Sequence, residues 1–381
     1  MRDAVVVQAV RSPIGKRAGV LSGVHPADLS ARVLQGLAAR AALDPALVDD
    51  VIWGCVGQVG EQTFDIARTA VLSAGWPEAV PGTTVDRQCG SSQQAVSFAA
   101  AGVVAGHYDV VVAGGVESMS RVPMGSSYGT QIPLGELYTN RYGPGMPNQG
   151  LGAERIAREW SLSRHDLDAY AVRSHQRADR AVAAGAFDAQ LVAIETPGGR
   201  VNADEGIRPN SSIEILARLQ TPFLEDGVVS AGNASQISDG SAAVLITTSE
   251  IARANGWRPL VRVHTAVVVG SDPNLMLTGP IPATAKVLAK SGLSIADIGA
   301  FEVNEAFASV PLAWQAEFHA PEEALNPLGG AIALGHPLGG SGARIATTLI
   351  HHMVDRGIRY GLQTMCEGGG QANATIFELL A

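Results

Sequence analysis

Cysteine, lysine and aromatic residues are all scarce in this chain of 381 residues. The three cysteines, Cys55, Cys89 and Cys366, cannot build a disulfide framework. None belongs to a C-x-x-C pair, which argues against a zinc ribbon and suits a reducing compartment. Only Lys16, Lys286 and Lys290 are lysines among 27 basic residues, and the formal net charge is −9. The acidic balance, 5% aromatics and lack of a basic stripe argue against a nucleic-acid surface. An anionic ligand stays open, because a local arginine can bind one against a negative total.

A long hydrophobic run is missing as well. The longest apolar stretch, Ala95–Ala105, is broken by Ser97 and falls short of the roughly 20 residues that cross a bilayer. Ala4–Val10, between Asp3 and Arg11, is too short and wrongly flanked for a secretory signal. The Phe377–Ala381 segment carries no peroxisomal or lipidation motif. A cytoplasmic protein with no membrane partner is the expectation. What is abundant is glycine, 44 residues and much of it clustered, which suggests backbone packed closely on backbone or ligand. Hydrophobic content of 46% with 17% charged residues excludes a disordered chain.

Short β-branched runs alternate with Ala-rich helical segments, the pattern of an α/β protein with buried strands. Strands are predicted at Ala4–Val10, Asp50–Gly54, Thr83–Asp86 and Val110–Ala113, the last ending in Gly114-Gly115. Helices are predicted at Pro26–Leu43, Asp65–Ala74 and Gly90–Ala105. The order then recurs, with strands at Leu260–Val269, Ala300–Val303, Leu362–Cys366 and Ala372–Leu379, and helices at Pro282–Ser291, Glu305–Glu317 and Gly339–Asp355. Between the halves lies irregular sequence with one clear helix, Arg164–Ala184, and the first half regains its closing strand only at Ala242–Thr247. Duplication with an insertion explains the pattern. The expected divisions are 1–118 (completed by about 239–259), 119–238 and 260–381.

Cys89 lies in Val85-Asp-Arg-Gln-Cys-Gly-Ser-Ser, between a strand and an apolar helix. There its sulfur meets the positive end of the helix dipole, which favours thiolate. A buried structural cysteine is the plain alternative. His336, in Leu334-Gly-His-Pro-Leu-Gly-Gly-Ser341, precedes its own half's helix as Cys89 does, and stacking the halves brings the two together as nucleophile and base. Cys366 ends a strand before Glu367-Gly-Gly-Gly370; it faces the same crevice, where a second thiol suits proton transfer and glycine amides suit an oxyanion hole. Asn304, after a strand, reads as a helix N-cap, with Glu305 serving the helix dipole. Cys55 has no partner pattern and reads as structural.

Together, Cys89-Gly-Ser-Ser92, Asn304-Glu-Ala-Phe307, Gly335-His-Pro-Leu-Gly339 and Cys366-Glu-Gly-Gly-Gly370 closely resemble the motifs of the thiolases, in order and spacing along essentially the whole chain. The resemblance implies a thiolase-like fold of two βαβαβαββ halves stacked in layers, with the insertion as a CoA-binding loop domain. It implies a reversible cleavage of 3-ketoacyl-CoA by CoA into acyl-CoA and acetyl-CoA. Cys89 is then the acylated nucleophile, His336 its base, and Cys366 the acid and base at the α-carbon. Asn304 holds a water in one oxyanion hole with the histidine, and the amides of Cys89 and Gly368 form the other. Arg208 lies near the adenine end of CoA, Ser235 on the pantetheine arm, and Phe223, Phe307 and Met276 along the channel. No metal and no tightly bound cofactor is implied, CoA being a substrate, and the family's homodimer or homotetramer is expected.

Two departures bear on specificity. Many short-chain thiolases have His-Met-Gly where this chain has Asn148-Gln149-Gly150, and Met-Gly where it has Gln371-Ala372. Both touch the acyl-binding side. The Cys89 loop and Gln236-Ile-Ser-Asp239 look more like the degradative branch, with acetoacetyl-CoA synthesis as the alternative. A decarboxylating ketoacyl synthase would have histidine in place of Cys366, and a thiolase-like lipid-binding protein would be expected to lose the nucleophile or the histidine.

Overall fold

A computed structural model describes residues 2–380. The first half runs β1 (Val5–Arg11), a short β2 (Gly15–Lys16), α1 (Pro26–Ala41), β3 (Asp50–Gly54), α2 (Ile66–Ser73), β4 (Thr83–Val85), α3 (Ser91–Ala105) and β5 (Val110–Ser118). A long excursion follows, with α4 (Glu136–Tyr142), α5 (Gln149–Glu159), α6 (Arg164–Ala183), the hairpin of β6 (Ile194–Thr196) and β7 (Gly199–Val201), and α7 (Ile213–Leu216). The strand β8 (Ser238–Thr247) returns to the first half, and α8 (Ser249–Ala254) leads out of it. The second half then repeats the order: β9 (Val261–Gly270), α9 (Pro280–Ser291), β10 (Ala300–Val303), α10 (Ser309–Phe318), α11 (Ala331–Leu334), α12 (Ser341–Arg356), β11 (Tyr360–Glu367) and β12 (Gln371–Leu379).

The strands follow the order β10-β11-β12-β9-β1-β8-β5-β3-β4, with β2 added against β8. Pairing is parallel where β3 meets β4 and β5 in the first half and where β10 meets β11 in the second, and antiparallel where each half's closing strand enters. The halves join along Val5–Arg262 and Val6–Val261. Because both faces are covered, the strands are near-continuous runs of Val, Ile and Ala, and β5 and β8 are buried at every residue. α1 and α2 cover one outer face around Trp53 and Leu37. α9 and α10 cover the other around Phe301 and Trp314. α3 and α12 lie in the middle layer, sharing Val96, Ala99, Leu349 and Met353 as core between the two halves of the sheet.

Local sequence explains where these elements start. Pro26 opens α1 after His25, whose side chain accepts from the Ala27 amide. Ser163 and Asp166 form a capping box on α6. The central pair depends on small residues. A Cβ added to Gly342 would fall 2.2 Å from the Gln93 amide nitrogen, so α12 reaches the backbone of α3 only because that position has no side chain. The Ala343 amide also donates to Ser92 Oγ at 2.9 Å. The N-terminal ends of the two helices therefore meet at one place. Among the described residues no helix is long and apolar enough to cross a membrane.

Two expectations are corrected. β5 does not end at Gly114-Gly115 but runs on to Ser118, because β8 pairs with it as far as Asp239. The pairs Asp50–Val111 and Ala300–Gly361 are equivalent in the two halves, which makes Val116, not the glycines, the counterpart of Cys366, and Glu117 that of Glu367. Asn304 caps no helix, since α10 begins only at Ser309. The stretch before it is claimed by a neighbouring loop: the Ser235 amide donates to the Ala306 carbonyl and the Ala308 amide to that of Asn233, both at 2.9 Å.

Candidate active site

Cys89 stands between β4 and α3, one residue before the N-cap Gly90. Gln88 ahead of it takes the left-handed conformation at φ +48°, costly for a residue with a Cβ. Asp86 secures this turn, its Oδ1 accepting from the Gln88 amide at 2.6 Å. The backbone amides of Cys89 and Gly368 lie on the sulfur's side and favour its thiolate. Burial pushes the Cys89 thiol up to about 12, and the nearby Glu367 adds to the effect. The lowering expected from the helix dipole is outweighed, because desolvating a thiolate costs more than roughly half a positive charge returns. Cys89 is a thiol that needs a base.

His336 has the tautomer such a base needs. Its Nδ1 lies 2.6 Å from Ser341 Oγ, while that hydroxyl donates to the Pro337 carbonyl at 2.8 Å. A hydroxyl has one proton. With it committed to Pro337, Ser341 accepts from Nδ1–H, and the network assigns the lone pair to Nε2. Nε2 faces Asn304 Nδ2 at 3.4 Å. The His336 backbone is anchored through its amide, which donates to Ser238 Oγ at 3.1 Å. Gly335 before it sits at φ +109°, where a Cβ would fall 2.4 Å from the same Ser238 Oγ, so only glycine fits. Burial, reinforced by the Arg344 guanidinium, lowers His336 to about 3. It is therefore a neutral imidazole at ordinary pH.

Cys366 lies near the end of β11, paired with Ala372 of β12, and is 1% exposed. Burial raises its thiol well above the usual range, and the nearness of Cys89 and then Glu367 adds to this. The two thiols lie near each other. Glu367 is also buried, pushed up to about 8 by desolvation, and among the described residues neither of its carboxyl oxygens finds a hydrogen-bond partner. Its counterpart Glu117 differs sharply, accepting from the amides of Val56, Gly57 and Gly339 at 3.0, 3.0 and 2.8 Å and from Gln62 at 2.7 Å. Asn304 Oδ1 is likewise buried with no partner among the described residues.

On the Asn304 side, three expected CoA-channel residues gather. Phe223 and Phe307 meet edge to face with centroids 6.2 Å apart. Phe307 forms a backbone bridge with Ala234, next to half-buried Ser235. Met276, 3% exposed and at φ +54°, belongs to the same apolar cluster. Arg208 stands apart from them. It is exposed, its amide donates to His175 Nδ1 at 3.1 Å, and among the described residues its guanidinium makes no bond. Asn148 caps α5, accepting from the Leu151 amide at 3.1 Å. Sequence reasoning missed Ser341, whose place at a helix start reads as a routine cap. It also missed Glu117, for which the sequence carries no signal.

A buried, protonated thiol and a neutral imidazole at the meeting ends of α3 and α12, with a second thiol near the first, are equipped for covalent acyl transfer. Comparison with known proteins gives the family. The thiolase N-terminal domain matches residues 4–250 and the thiolase C-terminal domain residues 257–379. The chain belongs to the thiolase family, and it is an acyltransferase. It is 50% identical to a steroid 3-ketoacyl-CoA thiolase of Mycobacterium tuberculosis, over 100% of this chain and 95% of that protein. It is 46% identical to a 3-ketoacyl-CoA thiolase of Erwinia tasmaniensis, over 99% and 100% of the two chains. The crystal structure of the Bacillus anthracis acetyl-CoA acetyltransferase superposes with a TM-score of 0.91 at 39% identity, covering 100% of this chain and 99% of that one.

Proposed function

We propose that this thiolase works in the degradative direction, cleaving 3-ketoacyl-CoA with CoA through an acyl-enzyme on Cys89. His336 Nε2 takes the Cys89 proton, and the sulfur attacks the 3-keto carbon. The amides of Cys89 and Gly368 hold the oxygen that becomes negative. The C2–C3 bond then breaks, its electron pair going to an acetyl-CoA enolate. His336 Nε2–H and a water held by Asn304 stabilise the enolate oxygen, and Cys366 delivers its proton to C2. Acetyl-CoA leaves. The thiol of an incoming CoA returns a proton to Cys366 and attacks the acyl-Cys89 thioester, and the released Cys89 sulfur recovers the proton from His336.

One observation carries this reading: a second buried thiol, Cys366, lies near enough to Cys89 to feel its charge. Acyl transfer between thiols needs only a nucleophile and a base, whereas breaking a C–C bond needs an acid at the α-carbon. The relatives named for 3-ketoacyl substrates support the degradative direction, and the steroid thiolase among them points to bulky acyl groups. Ser235, Phe223 and Phe307 are assigned to the pantetheine arm, and exposed Arg208 to the nucleotide. A homodimer or homotetramer in the cytoplasm is the working form we assign. Exposed Phe64, Leu137 and Ile132, at 90, 88 and 65%, are apolar surface of the kind that partner subunits cover.

The test compares wild type with Cys366→Ala in thiolysis and in acyl exchange between acyl-CoA and free thiols. Wild type should convert 3-ketoacyl-CoA to acetyl-CoA plus an acyl-CoA two carbons shorter. Cys366→Ala should lose thiolysis but keep part of the exchange. Equal loss of both in a folded variant would remove Cys366 from the proton-transfer role.

A further inference from the structure

A cavity of about 260 Å³ opens off Cys89, and neither Ser235 nor Phe307 is among the residues that line it. An acyl group on the Cys89 sulfur has this chamber within reach. Part of its wall is apolar, with Val56, Met119, Met124 and Leu338. The rest is not what a plain hydrocarbon chain requires. Gln88, Gln149, Ser127 and Tyr128 also line it, supplying neutral donors and acceptors. The side chain of Gln149 makes no hydrogen bond among the described residues, although the residue is half-buried. Its neighbour Gly150 packs on the Phe223 ring, where a Cβ would fall 2.2 Å away, and this close contact fixes the start of α5 that carries Gln149.

Charge narrows the choice further. The ionisable side chains that line the chamber besides Cys89 and Tyr128 are Asp86 and Glu117, and no Lys, Arg or His is among the lining residues. A carboxylate at the end of the acyl chain would enter beside two acids with no cation to pair with it. A plain alkyl chain would strip water from the glutamine amides and return no hydrogen bond. A ketone or hydroxyl oxygen on the acyl group avoids both costs. We propose that this chamber selects 3-ketoacyl groups bearing a neutral oxygen function beyond the reacting carbonyls, over plain alkyl chains and over chains ending in a carboxylate, with Gln149 as the principal contact. The proposal rests on the reading of Cys89 as the residue that carries the acyl group.

The experiment measures kcat/KM for thiolysis of three 3-ketoacyl-CoA thioesters of matched length, ending in an alkyl group, a hydroxyl or ketone, and a carboxylate. Acetoacetyl-CoA is run alongside. Wild type should favour the neutral oxygenated substrate by about tenfold over each of the others, the order that one unmatched buried hydrogen-bonding group costs. Gln149→Met should bring the oxygenated and alkyl substrates to within about threefold of each other, and Tyr128→Phe should narrow the gap less. Equal use of oxygenated and alkyl substrates by wild type overturns the proposal. So does a preference for the carboxylate, or a selectivity ratio that Gln149→Met leaves unchanged in a folded variant. Inactivity on every thioester, acetoacetyl-CoA included, would instead remove the thiolysis reading beneath it.

Discussion

Ser341 shows how much a single hydroxyl decides. It spends its one proton on the Pro337 carbonyl and so must accept from His336 Nδ1, which leaves Nε2 free as a base. Ser341→Ala removes that constraint and lets the imidazole populate the other tautomer, with its proton on the face that should take one from Cys89. The expected outcome is a fall in kcat of about ten- to a hundredfold with KM nearly kept, because ground-state binding does not use this bond. Steady-state kinetics checks this. A raised KM with kcat retained would mean that Ser341 only packs the helix start. The sequence made His336 visible through its glycine-lined motif. It did not reveal the serine's duty, because a serine opening a helix has an ordinary explanation. The ionisation of Cys89 was illegible for a different reason: the dipole can be read from a motif, but burial at 6% exposure depends on residues distant in the chain, such as Met119, Leu338 and Met365.

At the level of elements, the two halves were legible because strand and helix periodicity is local, and predicted and observed boundaries differ mostly by one or two residues. The failures fall where a distant segment overrides a local preference. β5 extends through two glycines because β8 supplies a full ladder of partners. Asn304–Ala308 stays out of a helix because the 233–235 loop takes its backbone groups. The contact between α3 and α12 is the element-level feature on which the site depends most, since it brings the Cys89 and His336 ends together. Gly342→Ala places a Cβ against the Gln93 backbone and should destabilise the fold by about 1–3 kcal/mol. Urea unfolding should show a lower midpoint with an unchanged slope. An unchanged midpoint would show that the helices are not in backbone contact there.

At the scale of the whole molecule, several ionisable groups are buried away from water, and their displaced pKa values make stability depend on pH in opposite directions. His336 and His175 are lowered to about 3 and about 4, mainly by burial. The unfolded chain therefore binds protons that the folded chain does not, and their contribution is lost as pH falls below the ordinary histidine range. Glu367, raised to about 8, acts the other way: its penalty is absent at low pH and grows as pH rises from the ordinary carboxyl range toward 8. Glu367→Gln should thus gain thermal stability over wild type increasingly from about pH 5 to about pH 9. A melting-temperature difference that does not change with pH would show that Glu367 is not a buried ionising carboxyl.

All of this serves one chemical claim, that the acyl group passes through Cys89. Incubating the protein with acyl-CoA in the absence of free CoA, digesting it and locating the added mass by peptide mass spectrometry tests the claim directly. The account predicts the acyl group on the peptide containing Cys89, with Cys55 and Cys366 unmodified. Acylation of Cys366 or Cys55 with Cys89 left free would contradict it.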